Sequence, residues 1–299
     1  MKLLVAITAF TVIVILVAMA YQLYLNSLPS ISRFGISFIW GTTWDVSAEI
    51  FGALPFIFGT FVTSLLALLI GLPISLGVAI FLSEKVKERR IIARSVGTLV
   101  ELLAAVPSVI YGLWGLFFLS PLLKTYVEIP LHDYLGFVPL FAGTPFGLDF
   151  FTAGVLLAIM IIPTISAISR DALNAVPDSQ REAMYSLGAT HWEVISKAVL
   201  PYARSGIFGA TILGLARAVG ETMAVTMVIG NEPNITASLF SGGYTLAAVI
   251  ANQFTEATGQ LYISSLIEIG LILFFVALII NTFARFLIWR MKRGVNIRV

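Results

Sequence analysis

Apolar residues in this chain run in long blocks. They neither alternate with the two-residue period of a half-buried strand nor confine themselves to one face of a 3.6-residue helix. Six blocks come close to or exceed the roughly 20 residues an α-helix needs to cross a hydrocarbon core. They are Leu3–Leu25, Phe56–Leu82, Val96–Leu123, Phe150–Ser169, Ser205–Gly230 and Leu261–Ile288. Each predicts a membrane-spanning helix, and the class is all-α. Pro107, Pro121 and Pro163 interrupt the third and fourth blocks, where a ring without an N–H kinks a helix and frees a carbonyl. The first block also has signal-peptide features: Lys2, an apolar run and Ala18-Met19-Ala20. The run continues to Leu25, which favours a retained span.

Basic residues orient the spans. Fifteen of the 18 Lys and Arg residues fall before the first block, in the second and fourth connections, or at the C-terminal end from Arg285 onward. Only Arg33 and Lys124 lie in the alternate connections, and Arg217 is inside a span. The positive-inside rule then places both termini in the cytoplasm. The connections Asn26–Pro55 and Lys124–Asp149 are rich in Gly, Pro and aromatics and predict short interfacial pieces. No linker divides the chain, so residues 1–299 read as one membrane domain, with an N-terminal span near 3–25 and a core near 56–288.

Composition agrees with this reading. Hydrophobic residues make up 59 % of the 299 and charged residues 11 %. A soluble fold of this length has no interior large enough for so much apolar surface. A net charge of +2 gives no basic surface for nucleic acid. The chain has no cysteine and only His132 and His191, which excludes disulfides and gives no metal-ligand set. No catalytic constellation and no Gly-x4-Gly-Lys-Ser/Thr phosphate loop is present.

The connection Arg170–Arg204 carries more than solubility. Ser179-Gln180-Arg181-Glu182 has the form of a capping box and predicts a helix starting near Ser179. Gly188 supplies a residue free to take positive φ and end that helix. A second piece, Trp192–Val199, is expected to stop at Leu200-Pro201. On these grounds alone the segment is either an interfacial loop or a lever for a partner.

Apart from Arg285 near the end of the last block, four charged residues lie within predicted spans: Glu101, Arg217, Glu221 and Glu268. Charge at that depth is costly and normally faces a bundle interior or an aqueous path. Arg217 falls near mid-span, and Glu221 follows it by four residues, one helical turn. Gly206, Ala210, Gly214 and Ala218 form a small-residue ridge that predicts close approach of another helix. Arg217 and Glu221 then make either a neutralising ion pair or an anion site in which Glu221 orients the guanidinium. Glu101 and Glu268 read as interhelical hydrogen-bonding groups. His191 reads as a surface or contact residue, and His132 has no assigned role.

Glu182-Ala183-Met184-x3-Gly188 with Leu200-Pro201 resembles the EAA loop of ABC importer permeases, although Met184 replaces the second alanine and Ala198 stands where isoleucine is frequent. Three further segments resemble phosphate (Pst) permeases: Gly52-Ala53-Leu54-Pro55-Phe56-Ile57-Phe58-Gly59-Thr60, Glu101–Gly112 and Leu215–Val225. Thr222-Met223-Ala224-Val225 after Glu221 is closer to the PstC-type than to the PstA-type subunit. The resemblance implies a type I (MetI-like) permease fold. It also implies a PstA-type partner permease, two PstB-type ATP-binding subunits and an extracytoplasmic PstS-type binding protein. ATP and Mg would bind the ATPase, and this chain would hold no cofactor. The family's coupling contact falls here on Glu182, Ala183, Gly188 and Ala189. Sulfate, molybdate or phosphonate is the alternative cargo. A passive channel is disfavoured by the EAA-like loop, and a membrane enzyme by the scattered inner-side polar groups.

Overall fold

The computed structural model describes residues 2–85 and 90–293. It contains six helices long and apolar enough to cross a membrane. They are α1 (Lys2–Phe34), α2 (Leu54–Lys85), α4 (Ser108–Leu135), α5 (Phe150–Asn174), α7 (His191–Gly220) and α9 (Gln260–Arg293). Between them lie α3 (Arg90–Ala105), α6 (Asp178–Ser186) and α8 (Leu246–Gln253). The chain is therefore a multi-pass membrane protein of six spans.

The number of spans agrees with the apolar blocks, but two spans sit elsewhere along the chain. The third is Ser108–Leu135 and not Val96–Leu123, because Pro107 adopts φ −58°, ψ 141° and separates α3 from α4. The fifth is His191–Gly220 and not Ser205–Gly230. Its apolar tail beyond Gly220 leaves the helix, makes one short helical turn at Met223–Thr226 and continues as non-helical chain that packs within the bundle. There Glu232 N–H donates to Gly243 O (3.0 Å), Gly243 N–H to Ile229 O (2.8 Å), and Leu239 N–H to Leu140 O (2.9 Å). Irregular backbone is tolerated inside a membrane protein when the protein itself satisfies it.

Proline explains three further irregularities. Pi-helical turns occupy Gly115–Leu119, Lys124–Glu128 and Ile195–Val199. Pro121, Pro130 and Pro201 each follow two residues after one of these turns. A proline ring clashes with the carbonyl four residues back and offers it no N–H. Widening that turn moves the carbonyl aside, so the helix continues. Leu200-Pro201 thus does not end a helix, contrary to the sequence expectation; α7 runs straight through it.

The bundle centres on α5, which packs against α2 and α7. Phe150, Leu156, Leu157, Met160, Ile161 and Ile165 are all buried on it. The predicted ridge on α7 is the contact surface for α5. A Cβ on Gly206 would lie 2.5 Å from Ala172 Cβ, and one on Gly214 would lie 2.5 Å from Ile165 Cδ1. Ala210 and Ala218 are buried on the same face. Helix α1 lies at the periphery and packs on α9, where Ser265 Oγ donates to Ser30 Oγ (3.1 Å).

Candidate functional site

Two regions hold the residues of interest. The first is the 170–204 loop at the end of the bundle where α2 and α5 finish and α7 begins. Pro177 occupies the N-cap of α6, so the helix starts at Asp178 and Ser179 falls inside its first turn. The Ser179–Glu182 capping box therefore does not form. The same sequence pattern is used eleven residues later: Thr190 Oγ1 accepts from Glu193 N–H, and Glu193 Oε2 accepts from Thr190 N–H (3.0 Å). That reciprocal cap opens α7.

Between the two helices, Gly188 takes φ +79°. Gly188 N–H donates to Tyr185 O (2.9 Å) and Ala189 N–H to Met184 O (3.2 Å). This is a Schellman closure, the form a glycine in the left-handed region gives a helix end. Met184 and Ala189 turn inward onto a cluster formed by Ala79, Leu173, Val176, Val194 and Val199, which joins the ends of α2, α5 and α7. Glu182, Ala183 and Gly188 remain exposed on the outer side of the loop. Leu187 is 83 % exposed and Trp192 65 % exposed beside them, an apolar tip that the chain's own packing leaves uncovered.

Arg181, which sequence reasoning passed over, braces this loop from within. Its guanidinium is buried beneath α6, where it donates to Glu84 on α2 and to carbonyls at the end of α5. The hydrogen bond to Glu84, with the negative charges of Glu84 and Asp178, holds its pKa above the ordinary arginine value. Sequence offered no signal for a partner 97 residues away.

The second region surrounds Arg217. The guanidinium Nη1 donates to Thr164 Oγ1 of α5 at 2.9 Å, and among the described residues this is the acceptor recorded for it. Tyr111 of α4 lies within its electrostatic reach. Glu221 does not share a helical face with Arg217. Helix α7 ends at Gly220, and Glu221 turns out with φ −71°, ψ 131°. Its Oε1 accepts from Ala224 N–H (3.4 Å) in the short turn Met223–Thr226. Among the described residues no ion pair joins Arg217 to Glu221. The structure thus places both predicted residues at the end of α7 but gives them separate partners. The apolar groove lined by Phe61, Leu65, Leu215, Val219 and Ile280 passes between α2, α7 and α9 without taking in Arg217.

Glu268 lies elsewhere, buried on α9 opposite Ser30 of α1. That position is at the seam between the two helices. The Glu101 side chain lies outside the described residues. His191 is exposed and its Nδ1 is 2.8 Å from Tyr185 Oη, which joins α6 to the start of α7.

Six spans, an arginine within the bundle and a braced loop with an uncovered tip define the transmembrane subunit of a transporter that works with other components. Residues 71–293 match the family described as binding-protein-dependent transport system inner membrane component, and the chain belongs to that family. It is 47 % identical over 289 residues to the phosphate transport system permease protein PstC of Pasteurella multocida, covering 95 % of this chain and 89 % of that one. It is also 47 % identical to the protein of the same name from Mesorhizobium japonicum, covering 94 % and 87 % of the two chains. Among solved structures it is similar to an inward-facing MetNI methionine ABC transporter, with a TM-score of 0.54 and 20 % identity over 80 % of this chain and 94 % of that one. At that identity the likeness is one of fold: the type I, MetI-like permease.

Proposed function

We propose that this chain is the PstC-type permease subunit of an ATP-driven phosphate importer. The observation that carries the phosphate assignment is the near-full-length identity to proteins named PstC. In this reading the chain pairs with a PstA-type permease, stands on two PstB-type ATPases that bind ATP and Mg, and receives phosphate from a PstS-type protein outside. Both termini and the 170–204 loop face the cytoplasm, as the distribution of basic residues requires.

The exposed Glu182–Ala183 face, the Gly188 turn and the apolar tip of Leu187 and Trp192 fit a groove on the ATPase. Arg217 is the group this chain offers to the anion. A guanidinium presents five N–H donors, and Thr164 accepts from one of them. Planar paired donors suit the oxygens of phosphate. Glu221 acts beside the path by shaping the turn after α7, not by neutralising Arg217.

The test is uptake of radiolabelled phosphate by proteoliposomes holding the four-component complex, with sulfate, molybdate and phosphonate as competitors. ATP-dependent uptake that these anions do not suppress supports the assignment. Stronger uptake of one of them would move the cargo to that oxyanion.

A further inference from the structure

We infer that Arg181 is the pin that makes the coupling loop and the cytoplasmic ends of α2 and α5 move as one body. The inference rests on the reading of the 170–204 loop as the element that docks on the ATPase. It assigns the transmission of that docking to a residue on the inner side of α6, facing away from the partner.

Every donor of the Arg181 guanidinium has an acceptor. Nη2 donates to Glu84 Oε1 (2.8 Å) and Nε to Glu84 Oε2 (3.4 Å), a side-on fork onto the last turn of α2. Nη2 also donates to Leu173 O (3.1 Å) and Nη1 to Val176 O (2.6 Å), at and just beyond the last turn of α5. The remaining Nη1 bond goes to Asp178 Oδ1 (3.2 Å) in the first turn of α6 itself. The Arg181 side chain is 10 % exposed and that of Glu84 5 %. A single planar group therefore ties α6 to the end of α5 before it and to α2, 97 residues away in sequence. The carbonyls at the end of α5 carry the negative end of a helix dipole, which favours a cation there.

The chemistry is specific to arginine. A planar fork fixes direction as well as distance, whereas an ammonium on a flexible stem satisfies fewer of these acceptors at once. The bonds also cross an interface that is otherwise apolar, with Ala79, Leu173, Val176 and Met184 among its members, and apolar contacts are non-directional. A load applied to the outer face of α6 reaches α2 and α5 through the guanidinium. Arg181 is thus a positioning residue: it touches neither the anion nor the ATPase.

The experiment uses the complete importer carrying Glu84→Gln, Arg181→Lys or Arg181→Gln in this chain, alongside the unaltered complex. Membrane level, ATPase co-purification, ATP hydrolysis and phosphate uptake are measured together. The pin requires that the variants retain ATPase and hydrolyse ATP while phosphate moved per ATP falls about tenfold, within the usual range of coupling free energies between sites. A brace without a role in transmission would lower uptake and hydrolysis in step with level and leave their ratio unchanged, and that result overturns the inference. Spin labels provide a readout that does not disturb the pin. The chain has no native cysteine, so Lys85→Cys and Ser179→Cys can be labelled alone. Their separation stays constant between nucleotide-free and ATP-bound complexes if α2 and α6 move together. A change of one helical turn, about 5 Å, shows that they move independently and overturns the inference. Failure of the unaltered complex to move phosphate would count against the cargo assignment, and the label separation would still decide the pin.

Discussion

Arg217 Nη1 donates to Thr164 Oγ1 at 2.9 Å across the seam between α7 and α5. The contact orients the guanidinium without neutralising it, since a hydroxyl brings no charge. Arg181 shows the contrasting case, a guanidinium whose donors are all taken up by the protein. One arginine has every donor bound by the protein, and the other is held through a single hydroxyl, as the proposed anion role of Arg217 requires.

From this difference, Arg217→Gln should abolish phosphate uptake at normal membrane level, and Arg217→Lys should keep part of it. Because Glu221 is no ion-pair partner of Arg217, the double variant Arg217→Gln/Glu221→Gln should not recover uptake. Thr164→Val removes one neutral hydrogen bond, a loss of about 1 kcal/mol, and should reduce uptake modestly. Radiolabelled uptake with level checked by immunoblot decides these points. Full uptake by the double variant would remove Arg217 from the path.

Gly188 gives a separate prediction. Its φ is +79°, yet a Cβ built there meets nothing within 4 Å. The constraint is conformational and not steric. Left-handed backbone costs a residue with a Cβ roughly 1–2 kcal/mol, and asparagine tolerates it best. Gly188→Val should therefore lower phosphate moved per ATP, and Gly188→Asn should lower it less. Equal effects of the two would point to lost packing against the ATPase instead of a lost turn.

The orientation is tested by reporter fusions. Fusions after Arg90 and after Arg298 should report a cytoplasmic location, and one near Asn234 an external location. Asn234 lies in the non-helical chain between α7 and α8, so a cytoplasmic signal there would invert the whole arrangement and remove the docking argument with it.

Much of the architecture was legible in the apolar blocks, because a lipid-facing helix needs an unbroken run that few other structures tolerate. Span ends were less legible because a proline can break a helix, as Pro107 does, or be absorbed by a wide turn, as Pro201 is. That choice is made by neighbouring helices. The capping box shows a similar limit. Ser179-x-x-Glu182 and Thr190-x-x-Glu193 share one pattern, and the preceding residue separates them: Pro177 takes the cap position ahead of Ser179, whereas Thr190 follows the Gly188 turn in extended backbone. Arg217 was legible as a lone cation in an apolar run. Its separation from Glu221 was not, because four-residue spacing implies one face only while the helix continues, and it stops at Gly220.

Two glycines of α2 allow the packing argument to be tested within one helix. A Cβ on Gly59 would stand 2.1 Å from Tyr244 O, and that oxygen is backbone. The chain cannot retreat there, because the adjacent Leu246 N–H donates to Thr60 Oγ1 (2.9 Å) one residue along α2. Overpacking of this kind costs about 1–3 kcal/mol, and more where backbone must shift. At Gly77 a Cβ would meet nothing within 4 Å, and the position is exposed in mid-helix. Alanine is there the better helix former by about 1 kcal/mol. Gly59→Ala should thus lower the membrane level several-fold and the detergent-phase melting temperature by several degrees, following the usual conversion of 1 kcal/mol to about 2–4 °C for a chain of this size class. Gly77→Ala should match or slightly exceed the unaltered chain in both. Thermal unfolding followed by size-exclusion of the solubilised protein reads both values in one series. If Gly59→Ala melts no lower than Gly77→Ala, the close approach of the 230–245 segment to α2 is not what holds it inside the bundle.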